Sequence, residues 1–285
     1  MKDQSNYTIR RMTLDEVENI AVVWAAKEGW NPGLYDAPCF FEADNQGFFI
    51  GLLDDEPISC ISIVNYGGDF AFLGFYIVKE GYRGKGYGLK IWNTALEFFA
   101  SQNIGLDGVV DQQENYKKSG FVLGYNNIRH EGRAASIDEI FDDIIAITQT
   151  KFEDILQYDT AHFPVERAGF LRKWLDQPHS NSFAAVHDGK ITGYGMIRKC
   201  REGYKIGPLF ADNDKIAEKI FLRMNNAVEP GEKIFLDTPE TNAAAIALAE
   251  KYNMVPVFET ARMYTKAQPE INIDHIFGVT TFELG

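Results

Sequence analysis

The 285-residue chain is 45% hydrophobic and 24% charged, a composition that buries a core and is neither disordered nor fibrous; at roughly 100–200 residues per domain, its length favours two domains. Lys and Arg number 28 against 41 Asp and Glu, and the resulting net charge of −13 repels phosphate backbones and anionic lipid headgroups, which argues against nucleic-acid and membrane-surface partners. An amine-bearing ligand suits that field, although acidity also serves solubility alone. Three separated cysteines, Cys39, Cys60 and Cys200, give neither a disulfide framework nor a zinc-ligand spacing. With a polar first segment and no apolar run near ~18 residues, the chain is expected to be cytoplasmic.

Tyr7 to Met12 has strand character, and Thr13 with Glu16 three residues on has the spacing of a capping box. A helix is expected next, because Val17, Ile20, Ala21, Trp24 and Ala25 recur at three and four residues and share a face. The run from Phe48 to Val64 alternates and is broken at Asp54-Asp55-Glu56-Pro57, which predicts two antiparallel strands and a tight turn. Phe70 to Val78, nearly continuous in apolar residues, is expected in the middle of a sheet with both faces covered. Lys79 to Gly88 then carries four glycines in ten residues ahead of a helical pattern through Leu89, Ile91, Trp92, Ala95, Leu96 and Phe99. A short strand over Gly105 to Val110, a helical turn over Glu114 to Lys118 and a strand from Phe121 follow.

From about residue 137 the order recurs. Ile58 matches Ile191, Gly74 matches Gly207 and Phe121 matches Met254, each 133 residues apart, whereas Asp107 matches Asp237 at 130. The second copy of this internal repeat thus loses three residues between its third strand and the next, at the glycine loop, and regains them later.

These features resemble the GNAT superfamily of acetyl-CoA-dependent N-acyltransferases, in its tandem form with a degenerate second copy. The family's most specific motif, Arg or Gln followed by x-x-Gly-x-Gly or Ala, stands here as Arg83-Gly84-Lys85-Gly86-Tyr87-Gly88 behind Val78. Glycines let a backbone approach a ligand closely, and the positive end of the following helix favours a pyrophosphate. A Rossmann site would need its glycines after a first parallel strand and an acidic residue at the end of the next, and neither condition fits. Asn115-Tyr116-Lys117-Lys118-Ser119-Gly120-Phe121 is similar to a second family stretch, whose tyrosine protonates the departing thiolate of CoA; Tyr116 takes that position. The resemblance implies an α+β fold of two tandem GNAT-like domains, each a mainly antiparallel sheet with flanking helices. Residues 1–135 are expected to bind acetyl-CoA, 136–267 to form a substrate-pocket or dimer domain, and 268–285 to be a strand-like tail packed on a sheet. The implied CoA contacts are Tyr76, Ile77, Val78, Arg83, Gly84, Lys85, Gly86, Tyr87, Gly88 and Asn115, with Tyr116 catalytic, a backbone N–H near Tyr76 as oxyanion donor and no metal.

The sequence also departs from the family. Val109 stands where an Asn is common, and Phe72 where some members carry a basic glutamate. In the second copy Asn242 keeps the Asn but Ala249 replaces the tyrosine, and Gly207 to Asp214 offers no glycine cradle, so one CoA site is expected. The implied reaction is attack of a neutral primary amine, small-molecule or peptide, on the thioester in a ternary complex; a non-catalytic acyl-CoA-binding or sensing protein is the alternative, and monomer and homodimer both remain open. For the base, Asp69, Asp111, Glu114, a carboxylate of the second domain and a water chain stay open. Cys60, in an alternating strand, is expected to be a core thiol. His130, His162, His179, His187 and His275 show no ligand spacing, and Trp24, Trp30, Trp92 and Trp174 are expected in the core or at its rim.

Overall fold

β1 (Tyr7–Arg11) leads into a helical run made of α1 (Leu14–Glu16), a π turn over Val17–Ala21 and α2 (Val22–Lys27). At its head Thr13 Oγ1 accepts from the Glu16 N–H at 3.3 Å and Glu16 Oε2 accepts from the Thr13 N–H at 2.9 Å, closing the expected capping box. This computed structural model describes residues 6–136, 139 and 141–285; the expected onset of the second copy at residue 137 lies outside them. After α3 (Asp36–Ala43), β2 (Phe48–Leu53) and β3 (Glu56–Asn65) form the hairpin. Its turn residues Asp54 and Asp55 have φ of 49° and 65°, the left-handed backbone that lets a two-residue turn follow the twist of the strands. β4 (Phe70–Val78), α4 (Tyr87–Glu97), β5 (Asn103–Val109), α5 (Gln113–Lys118) and β6 (Val122–Arg133) complete the first copy. The second comprises β7 (Ile144–Ala146), α6 (Phe152–Thr160), α7 (Ala168–Leu175), β8 (Ser180–His187), β9 (Lys190–Lys199), β10 (Tyr204–Ala211), α8 (Asp214–Asn225), β11 (Lys233–Pro239), α9 (Ala243–Lys251) and β12 (Val255–Tyr264), followed by β13 (Ile276–Gly278).

The strands join one mixed, mostly antiparallel sheet in the order β1-β2-β3-β4-β5-β12-β6-β11-β10-β9-β8-β7, with β13 added on β10. Helices flank it: α4 lays Ile91, Trp92 and Ala95 on the first half, and α8 lays Ile220, Phe221 and Met224 on the second. At the centre the copies interpenetrate. β6 lies between β12 and β11, and β12 lies between β5 and β6, so each copy gives its last long strand to the other. Two buried ion pairs clamp the exchange. Arg129 on β6 meets Asp237 on β11 with two bonds of 2.7 Å, and Arg262 on β12 meets Asp107 on β5 at 2.8 and 2.6 Å. The arginines are 133 residues apart and the aspartates 130, the same offsets as the repeat.

Among the described residues the parallel neighbours are β4 with β5 and β10 with β11, and each pair parts company partway along. Pairing stops at Leu73 and Leu106 in the first copy and at the matching Ile206 and Leu236 in the second. The second opening is filled from within: Ile276 and Gly278 of β13 pair with Phe210 and Leu209, and the Val279 N–H donates to the Asp237 carbonyl at 2.9 Å. Asn242, the N-cap of α9, donates to the carbonyls of Ile273, Asp274 and Ile276 at 3.0–3.1 Å and so pins the segment that enters. Every residue from 276 to 285 is buried, which a strand of only three residues does not explain; the segment runs on from the second opening to the edge of the first.

Candidate active site

Beyond Leu73 and Leu106 the first opening remains a cleft of about 650 Å³. One wall is the end of β4, where Gly74 faces Ser62 and Ile77 faces Cys60, leaving Phe75 and Tyr76 together opposite Ile61. This is a bulge, which frees ladder groups and re-aims side chains. Phe75 adopts φ of 48°, a left-handed conformation that costs a bulky residue ~1–2 kcal/mol. The buried Cys60 thiol supports it by donating to the Phe75 carbonyl at 3.2 Å. Burial pushes the Cys60 thiol up, so it is a core group and not a nucleophile.

The glycine loop forms the mouth. Gly84 and Gly86 have φ of 74° and 87°, and a side-chain carbon on either would meet open space, so backbone angle is what requires glycine there. Gly88 is different, because a methyl on it would come 2.7 Å from Tyr76 Oη. Gly86 is the N-cap of α4, which has no capping side chain and no acidic residue in its first turn. Its leading N–H groups therefore keep the anion-attracting character of an uncapped N-terminus. Arg83 stands beside them, its Nε on the Val78 carbonyl at 2.8 Å and its Nη2 paired with Glu28. In the second copy the loop of residues 79–86 shrinks to Asp212 and Asn213, and Asn213 Oδ1 itself accepts from the Ile216 N–H, so the N-terminus of that helix is capped by the chain itself.

Tyr116 closes the opposite side. Its ring stacks on Trp92 at 5.7 Å and lies where any side chain on Gly108 would collide with it. Burial pushes its phenol up to about 12, so it is a neutral donor at any physiological pH.

Of the residues the sequence singles out, Tyr76 to Val78 on β4, Arg83, Gly84, Gly86 and Gly88 in the loop, and Tyr116 on α5 come together around the cleft. Lys85, Tyr87 and Asn115 lie outside its lining: Lys85 Nζ bonds the Gly81 carbonyl at 2.9 Å, the Tyr87 ring packs 4.9 Å from that of Tyr7, and Asn115 bonds Gln112 at 2.8 Å, leaving Gln112 to face the cleft. Asp69, Asp111 and Glu114 are not in the lining, and Phe72 sits under the Arg262 guanidinium, 4.9 Å from ring centre. The lining carboxylates are Glu28, Asp107 and Glu283. Sequence reasoning missed the far wall of Trp30, Phe75, Phe258, Thr260, Phe282 and Glu283. The one available signal was that the run 276–285 carries a single charged side chain, Glu283. Among the described residues there is no cluster of three or more His, Cys, Asp or Glu able to hold a metal, and no helix long and apolar enough to cross a membrane.

A mixed sheet split between parallel neighbours, with a glycine loop at the split, is the arrangement that the resemblance implied, and the comparisons point to the same class of acyltransferase. The Acetyltransferase (GNAT) family model matches residues 13–121, and an Acetyltransferase (GNAT) domain model matches 155–278. The chain is 32% identical over 285 residues to holothin acyltransferase of Pseudoalteromonas sp. (strain SANK 73390), covering 100% of this chain and 97% of that protein. In fold it is similar to a putative acetyltransferase from Pyrococcus horikoshii, with a TM-score of 0.84 at 23% identity over 100% of this chain and 98% of that one. A tandem GNAT protein from the clavulanic acid biosynthesis pathway gives a TM-score of 0.63 at 12% identity, over 92% of this chain and 100% of that one. The chain belongs to the GNAT family and is an acyltransferase of its tandem type.

Proposed function

We propose that the chain transfers an acetyl group from acetyl-CoA to a primary amine by direct attack in a ternary complex. The observation that carries this reading is the junction of three features at one cleft: the uncapped N-terminus of α4 behind Gly84 and Gly86, the bulged end of β4, and the neutral phenol of Tyr116. The pyrophosphate of acetyl-CoA would lie on the loop and the α4 N–H groups, with Arg83 beside them. The thioester would lie between β4 and β5, where the bulge around Phe75 and Tyr76 offers an N–H to the developing oxyanion. Tyr116 would protonate the departing thiolate. The filled opening of the second copy supports a single cofactor site.

The acceptor would enter against the wall of Trp30, Phe75, Phe258 and Phe282. Those four side chains are aromatic, which suits an amine with an apolar body better than a polyamine. The relative's name makes holothin the first acceptor to test. Thiol release from acetyl-CoA is expected with wild-type protein and an amine panel, and absence of release with every amine would refute the reading. Gly86→Asp puts a carboxylate into the cradle, and acetyl-CoA affinity is expected to fall at least ~100-fold while the melting temperature stays within about 5 °C. Unchanged affinity in calorimetric titration would remove the loop from the site.

A further inference from the structure

Of the three carboxylates in the cleft lining, Asp107 has both oxygens engaged, whereas Glu28 is part-exposed at the loop and pairs through Oε1 alone. Those of Asp107 accept from Arg262, and Asn127 adds a third bond of 2.8 Å; the partner of Glu28 is Arg83. Glu283 differs. It is 2% exposed, Oε2 accepts from the Thr281 hydroxyl, and Oε1 has no partner. A buried carboxylate oxygen without a donor is costly unless a ligand supplies one.

Its place is fixed by the backbone. The Glu283 carbonyl lies against Gly74, so closely that a side-chain carbon on Gly74 would collide with it, and Gly74 immediately precedes the bulge at Phe75. The Tyr66 hydroxyl holds the next carbonyl, Leu284, at 2.9 Å. The charged groups around Glu283 are cationic and buried: Arg129 on β6, Arg198 on β9 and Lys205 on β10 all feel its charge. Lys205 has its pKa lowered by burial first and Arg129 next, with Glu283 acting in the opposite direction.

Resting on the proposed acetyl transfer, the geometry points to Glu283 as the group that takes the proton from the acceptor ammonium. The ammonium donates a proton to Glu283 Oε1. The freed nitrogen lone pair forms the bond to the thioester carbon, and the carbonyl π pair moves to oxygen. As the carbonyl re-forms, the C–S bond breaks and the thiolate takes the Tyr116 proton; the amide nitrogen gives up its surplus proton, which restores the phenol. One proton leaves the site in total, from Glu283 to solvent. The carboxylate is thus supplied from the run 276–285, in a chain whose β4 carries Phe72 instead.

The test compares Glu283→Gln with wild type in the full chain, with acetyl-CoA as donor and two probe acceptors. 2-Phenylethylamine is an ammonium at neutral pH and aniline is not. With the variant at pH 7, 2-phenylethylamine turnover is expected to fall by ~10²–10⁴-fold, aniline turnover by less than about threefold, and acetyl-CoA affinity to stay unchanged. In wild type, kcat/KM for 2-phenylethylamine is expected to be flat between about pH 6.5 and 9, because the ammonium is the substrate form; in the variant it should rise tenfold per pH unit toward the amine pKa near ~10. Equal losses on both amines, no loss on either, or a wild-type profile that already rises tenfold per unit would overturn the role of Glu283 alone. Wild-type protein that binds acetyl-CoA but releases no thiol with any amine would overturn the transfer reading and this one together. Should Glu283→Gln prevent folding, the wild-type profile decides by itself.

Discussion

Tyr116 shows how a single side chain is prepared by its surroundings. Gly108 leaves room for the ring, Trp92 stacks on it, and burial raises the phenol to about 12. A raised phenol pKa means the proton is held throughout the neutral range and lost only as pH rises through about 12. No alkaline loss of kcat from this group is therefore expected below about pH 11. Tyr116→Phe should lower kcat by ~10²-fold with acetyl-CoA affinity intact, and an unchanged kcat would remove its acid role. The place of Tyr116 beside the cleft was legible because its neighbours in sequence form a recognisable stretch. Glu283 was not, because what makes it stand out is a contact with Gly74, over 200 residues earlier.

Elements whose cause is local were readable in the same way. The capping box at Thr13, the Asp54-Asp55 turn and the amphipathic α4 all form where residue spacing places them, since each depends on groups a few residues apart. The loop lengths tell more than the count suggested. Between β10 and α8 six residues are missing relative to the first copy, α8 is one residue longer than α4, and the connection to β11 is two longer, which together give the three-residue shift. What could not be read was the destination of the segment after residue 268, because β13 pairs with β10 across about 65 residues of chain. Gly74→Ala tests that packing. The added methyl would meet the Glu283 carbonyl, and overpacking of this kind costs ~1–3 kcal/mol, seen as a lowered melting temperature. A melting temperature equal to wild type would mean the segment moves aside freely.

At the scale of the molecule, β6 and β12 make the two copies parts of one sheet. Unfolding is expected to be one cooperative transition, with fluorescence and far-UV circular dichroism coinciding; two separated transitions would show that the halves are independent. Arg262→Ala would leave Asp107 buried without its partner, at a cost of ~3–5 kcal/mol, and Arg129→Ala should act alike on Asp237, two losses that melting curves can compare. The exchanged strands are also the arrangement expected if a strand-swapped pair of identical chains became one chain by duplication and fusion. In that history residues 276–285 have a particular meaning. They fill the opening of the second copy, and in passing on to Gly74 they build part of the wall of the first. Removing them would open the second cleft and take away part of the wall of the first in the same step, so one segment ties the state of each opening to that of the other.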